Sequence, residues 1–130
     1  MSNMEYNVKI AVLRILKDIL NADNVVHEKE VEYMNEVACA FNMSDNYDEE
    51  VDKLSILQAL VTIKSLAIDE KTEIAKLMGK MIVADENINY NEVKLYDAVC
   101  VLCNIEKDFK IEDYPNFILS GFMEHEEIID

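Results

Sequence analysis

The chain has 130 residues, 51% hydrophobic and 30% charged, which is typical of a globular domain that needs no cofactor to fold. Its formal net charge of −15 disfavours binding to nucleic acid and to anionic membrane surfaces, and leaves metal cations and protein partners with basic surfaces as candidates. No apolar run approaches membrane-spanning length and no signal segment is recognisable, so we expect no membrane insertion and a cytoplasmic location.

Apolar residues recur at helical spacing along most of the chain, and no segment shows the alternation of a strand. Only two glycines and one proline occur, so the turns must use Asn and Asp. The predicted helices begin near residues 6, 28, 45, 56, 70 and 90, with a last short helix at 116–123 and a loosely docked acidic tail at about 124–130. Ser55 and Gln58 form a predicted capping box. The helix at 90–104 is apolar around nearly its whole circumference, which predicts that it is the most buried.

Two segments of the chain, at about 13–43 and 75–105, repeat one pattern. Each runs from an apolar helix through Ala-Asp and a short polar turn to a Glu that opens a second apolar helix. The identical pairs are Ala22/Ala84, Asp23/Asp85, Glu30/Glu92, Val31/Val93, Val37/Val99 and Asn42/Asn104. The sequence therefore predicts an all-α fold: one domain, residues 1–130, forming a compact bundle of about six or seven helices with an internal duplicated helix-turn-helix unit.

The repeated acidic residues Asp23, Glu30, Asp85 and Glu92 are the candidate metal ligands. In EF-hand register they fill only the fifth and twelfth positions of each loop, so tight calcium binding of that type is not expected. A site would require both copies, alone or with Glu28 and Glu86, to converge on one cation. Oxygen ligands suit Mg²⁺, Ca²⁺ or Mn²⁺, whereas His27 could recruit a softer ion such as Zn²⁺.

The alternative interpretation of these four residues is structural. An Asp in a turn between helices can accept backbone N–H bonds, and a Glu in the first turn of a helix can reach back to the N-cap residue. His27 with Glu30, and Asn89 with Glu92, have the spacing of capping boxes, although His is a poor cap. Helix capping is commoner than metal binding, and the sequence leaves both interpretations open.

The repeated Ala-Asp turn followed by a helix-opening Glu, present twice in an acidic helical protein, resembles the TerB-like (tellurite-resistance TerB) family. The resemblance extends from about Leu13 to Ile105. It implies a duplicated all-helical fold, a role in stress-response complexes, and metal-ion binding at Asp23, Glu30, Asp85 and Glu92. The chain departs from the family pattern at Asn24 and Glu86, which stand where a glycine commonly follows the Asp.

Other motifs add little chemistry. Cys100 and Cys103 form a C-x-x-C near the end of a predicted helix, where small buried side chains are a better interpretation than a redox pair. The sequence contains no nucleophile elbow, phosphate loop or H-E-x-x-H, so we expect no enzyme. The leading hypothesis is a non-enzymatic module that acts through protein partners and also binds divalent cations weakly, with no cofactor required. A dedicated metal-ion-binding protein is the alternative, and an enzyme is a distant third. The sequence offers no seam from which to infer an oligomeric state.

Overall fold

The computed structural model describes residues 4–122, and these residues fold as a bundle of six α-helices with one very small sheet. In chain order the elements are α1 (Tyr6–Leu20), α2 (Glu28–Ala40), α3 (Tyr47–Lys53), α4 (Ile56–Lys64), α5 (Ile68–Ile82), β1 (Asn87–Asn89), α6 (Tyr90–Cys103), a 3-10 turn (Ile111–Asp113) and β2 (Ile118–Ser120). The predicted all-α fold is confirmed. The predicted acidic tail at 124–130 lies outside the described residues. No helix within residues 4–122 is long and apolar enough to cross a membrane.

Helix α1 lies at the centre of the bundle and packs against each of the other five helices. Nine of its 15 residues are buried, including Leu13, Ile15 and Leu16 at 0% exposure. The prediction that α6 would be the most buried helix was wrong, because Val101 and Leu102 on its outer side are 70% and 54% exposed. An apolar circumference marks a helix that can be buried on any side, but only neighbouring elements decide which sides are covered.

The prediction of a helix at 116–123 was also wrong. Ile118–Ser120 form β2, which pairs in parallel with β1, and the backbone N–H of Ile118 donates to the Glu86 carbonyl at 3.1 Å. The hydroxyl of Ser120 accepts from Asn89 Nδ2 at 3.1 Å and donates to Asn87 Oδ1 at 3.0 Å. These contacts hold the chain after α6 against the turn between α5 and α6.

The helical hairpins α1–α2 and α5–α6 make the same unusual backbone turns. The residue after the turn Asp has a positive φ in both, 62° at Asn24 and 62° at Glu86. The residue after the second helix does as well, at Asn42 (60°) and Asn104 (57°). Asn tolerates this left-handed conformation better than most residues, and Glu does not. The matching positions agree with the predicted duplication, which stays a prediction.

Candidate metal centre

Asp23 and Asp85 occupy equivalent places in the two turns and make equivalent hydrogen bonds. Oδ1 of Asp23 accepts the backbone N–H of Val25 at 3.0 Å, and Oδ1 of Asp85 accepts that of Asn87 at 3.1 Å. These are Asx turns, so one oxygen of each aspartate has the structural role that was the alternative to metal binding. The second oxygen, Oδ2, is left for other contacts.

His27 connects the two turns through those second oxygens. Its Nε2 lies 3.2 Å from Asp23 Oδ2, and its Nδ1 lies 3.2 Å from Asp85 Oδ2. Burial lowers the pKa of His27, but the hydrogen bond to Asp23 and the negative charges of Asp85, Glu30 and Asp23 outweigh it, so the net pKa is raised above 6.5. The protonated imidazole therefore stabilises the approach of the two aspartates.

Glu30 and Glu92 do not act as helix caps, which corrects the alternative interpretation for these two residues. His27 makes no side-chain cap bond at the start of α2. At the start of α6, Asn89 Oδ1 accepts the backbone N–H of Asn91 at 2.8 Å, so the amide caps the helix without a partner at Glu92. Both glutamates are instead turned inward, with 0% and 1% of their surface exposed.

The inward-facing glutamates lack the hydrogen bonds that buried carboxylates normally have. No donor within residues 4–122 reaches either oxygen of Glu30 or Oε1 of Glu92. Burial is the main cause that raises their pKa values, to about 7 for Glu30 and about 10 for Glu92. Contact between the two carboxyl groups raises the pKa of Glu92 further and opposes the rise at Glu30, and the charges of Asp23 and Asp85 raise both. One proton shared between the two carboxyl groups would relieve part of this repulsion.

The five side chains converge on one region between the hairpin turns. Two overlapping groups, Asp23 with His27 and Glu92, and His27 with Glu30 and Asp85, each place their ligand atoms within 4.8 Å of one another. All four acidic residues predicted from the sequence are thus brought together, while Glu28 and Glu86 are exposed and stay outside the cluster. Carboxylate oxygens and one imidazole nitrogen can hold a divalent cation.

From the sequence, His27 was interpreted only as a poor helix cap or as a residue that could recruit a softer metal ion. The available signal was its spacing of four residues from Asp23 within a turn, together with Asn89 at the equivalent position of the second copy. That spacing shows that His27 can contact its own turn. It gives no indication of the contact with Asp85, 58 positions away along the printed sequence.

The cysteines lie apart from this cluster. Cys100 and Cys103 are buried near the C-terminal end of α6, and Cys103 Sγ donates to the Leu60 carbonyl at 3.4 Å. Burial raises the pKa of the Cys100 thiol to about 11, which keeps it protonated and unreactive at neutral pH.

Comparisons with known proteins show the fold and leave the function open. No protein-family model matches the chain, and no curated protein is significantly similar to it. Among solved structures, the crystal structure of a protein of unknown function from Porphyromonas gingivalis W83 superposes with a TM-score of 0.69. The match covers 86% of this chain and 94% of that one at 20% sequence identity, so the two chains share an overall fold.

Proposed function

We propose that this protein is a non-enzymatic, divalent-cation-binding helical domain of the TerB-like kind, in which one cation joins the two hairpin turns. The observation that carries the proposal is the pair of buried glutamates, Glu30 and Glu92, which lie beside Asp23, Asp85 and His27. Both oxygens of Glu30 and Oε1 of Glu92 have no hydrogen-bond partner within residues 4–122. An acidic cluster alone is common on protein surfaces. Buried carboxylates without partners are uncommon and call for a specific cause.

Desolvation of the two carboxyl groups destabilises the metal-free fold. Transferring a carboxylate from water into the protein interior costs several kcal/mol unless it is paired or coordinates a metal. Removing one glutamate by substitution with Gln would lower that cost, so the acidic pair opposes folding of the metal-free chain. A divalent cation supplies the missing positive charge and occupies the oxygens that no donor reaches.

The test is thermal unfolding of metal-stripped protein, followed by circular dichroism, with and without excess Mg²⁺, Ca²⁺, Mn²⁺ or Zn²⁺. An ion that binds only the native state at a hundred times its dissociation constant adds about 2.7 kcal/mol of stability. Glu92→Gln should remove the increase for every ion while remaining folded. Glu36→Gln, the same carboxyl-to-amide change at an exposed position on α2, should retain it. A wild-type midpoint that no ion raises would reject the proposal.

A second candidate function, binding to a protein partner, is favoured by an uncovered edge at residues 25–27. His27 and Asn89 have nearly the same backbone angles, φ −97° and ψ 133° against φ −96° and ψ 133°. Asn89 ends β1, which β2 covers, and Ile88 in that strand is 0% exposed. Within the described chain no strand pairs with residues 25–27, and Val26 is 61% exposed. An extended apolar segment of a partner could add there as β2 adds to β1.

The acidic charge of the chain makes a partner with a basic surface the better fit and disfavours nucleic acid. We propose that this interaction takes place in the cytoplasm, and that it belongs to a stress response, as the TerB-like resemblance suggests. A photo-crosslinking residue at position 26 should capture a discrete partner in cells, whereas the same residue at the exposed position 36 should not. Equal capture from both positions, or none at 26, would remove this candidate.

A further inference from the structure

Both ring nitrogens of His27 face a carboxylate. When the imidazole is neutral, one of these nitrogens carries no proton and cannot donate to the carboxylate that it faces. A neutral imidazole has one N–H and one lone pair. Nε2 faces Asp23 Oδ2 and Nδ1 faces Asp85 Oδ2, each at 3.2 Å. The N–H can satisfy one aspartate, so the lone pair of the other nitrogen then points at the second aspartate. A cation bound at that lone pair would be coordinated by both the ring nitrogen and the second aspartate, and the repulsion between the two groups would be removed.

We propose that His27 is a metal ligand that makes this site prefer a first-row transition-metal ion such as Zn²⁺ over Mg²⁺ and Ca²⁺. The inference rests on the proposed cation-binding function and adds the class of cation. Nε2 acts with Asp23 and Glu92, so that one nitrogen and two carboxylates meet within 4.8 Å.

The donor set determines the preference. Mg²⁺ and Ca²⁺ take oxygen ligands, and Mg²⁺ usually retains several waters. Zn²⁺ binds imidazole nitrogen and carboxylate oxygen together, with few ligands and tetrahedral geometry. The second aspartate then accepts the remaining N–H of His27 and fixes the ring orientation, an arrangement that recurs around metal-bound histidines. His27 therefore has a role for each of its nitrogens.

The second copy of the turn provides the matched variant. Asn89 stands at the position equivalent to His27, has almost the same backbone angles, and opens α6 with its own cap bond. Because His27 makes no cap bond in α2, His27→Asn should preserve the turn, and it leaves all four acidic residues unsubstituted. The substitution therefore removes the nitrogen donor and retains the oxygen donors.

The experiment is isothermal titration of untagged, metal-stripped wild type and His27→Asn with Zn²⁺, Mn²⁺, Mg²⁺ and Ca²⁺. We expect wild type to bind Zn²⁺ most tightly. His27→Asn should lose about tenfold or more in Zn²⁺ affinity, while its affinity for Mg²⁺ and Ca²⁺ changes little. Circular dichroism of the metal-free variant checks that it is folded.

The outcomes separate the inference from the function on which it rests. If no ion binds wild type, the proposed function fails, and the inference fails with it. If ions bind and Glu92→Gln abolishes binding, but His27→Asn keeps the same ratio of Zn²⁺ to Mg²⁺ affinity, only the role of His27 is overturned. Should His27→Asn not fold, nitrogen NMR of wild type decides. Zn²⁺ must then shift a ring nitrogen of His27 and leave that of His125, the other histidine of the chain, in place.

Discussion

The pH dependence of folding provides a test of the buried pair Glu30 and Glu92 in metal-free protein. Burial raises the pKa of Glu92 from 4.5 to about 10 and that of Glu30 from 4.5 to about 7. As the pH rises, the unfolded chain releases both protons near the ordinary pKa of 4.5, and the native state releases them only at higher pH. The native state is therefore favoured most below that pH, and its stability declines as the pH rises toward the folded pKa values.

The magnitude follows from the number of pH units over which the native state keeps a proton that the unfolded chain has lost. Each such unit lowers the free energy of unfolding by about 1.4 kcal/mol. Between pH 5 and pH 8, Glu92 alone therefore removes up to about 4 kcal/mol, and water entering the site reduces this loss. Glu92→Gln removes the titrating group, and its amide can donate to Glu30, so the decline should become shallower.

The assay is urea unfolding followed by circular dichroism at several pH values between 5 and 8, with a chelator present. Glu36→Gln is the control, since it makes the same carboxyl-to-amide change at an exposed position on α2. The raised pKa of His27 acts in the same direction above pH 6.5 in all three proteins, so comparing the variants isolates the glutamate pair. An equal pH slope for Glu92→Gln and Glu36→Gln would refute the reasoning.

Three further substitutions test the fold around the site. Glu86→Gly should raise the thermal midpoint by the equivalent of about 0.5–1 kcal/mol, because Glu86 has φ 62°, and Glu86→Gln should not. Tyr96→Phe should lower the free energy of urea unfolding by about 1–3 kcal/mol, since the phenol oxygen accepts the backbone N–H of Asp108 at 2.9 Å and of Phe109 at 3.3 Å. Leu13→Ala, at 0% exposure in α1, should cost about 2–5 kcal/mol by the same assay. A cost below about 0.5 kcal/mol, typical of an exposed surface position, would contradict the central place of α1.

Local chemistry explains which elements the sequence could predict. Ser55 and Gln58 form the predicted capping box, with the Gln58 backbone N–H donating to Ser55 Oγ at 3.1 Å and the Ser55 backbone N–H donating to Gln58 Oε1 at 3.1 Å. Both partners lie within one turn of helix, so spacing alone identifies the contact. The all-α fold is predictable for the same reason, because helical periodicity is a local property.

The errors concern elements that depend on distant contacts. Ile118–Ser120 contain only three residues, too few to show alternation, and they are extended because β1 supplies the hydrogen bonds. The Glu30 and Glu92 spacing matched a capping box, yet both side chains turn inward, where the second hairpin provides the surroundings. The spacing of residues within one hairpin does not predict which side chains of the other hairpin lie against it.

The net charge of the cluster also supports a divalent cation. Four carboxyl groups and His27 share the region between the turns. With His27 protonated and one proton shared by Glu30 and Glu92, as their raised pKa values favour near neutral pH, two negative charges remain unbalanced. No lysine or arginine within residues 4–122 forms an ion pair with any of these five side chains. A bound ion of charge +2 would balance that charge, and by contacting oxygens in both hairpins it would stabilise the packing of α1–α2 against α5–α6.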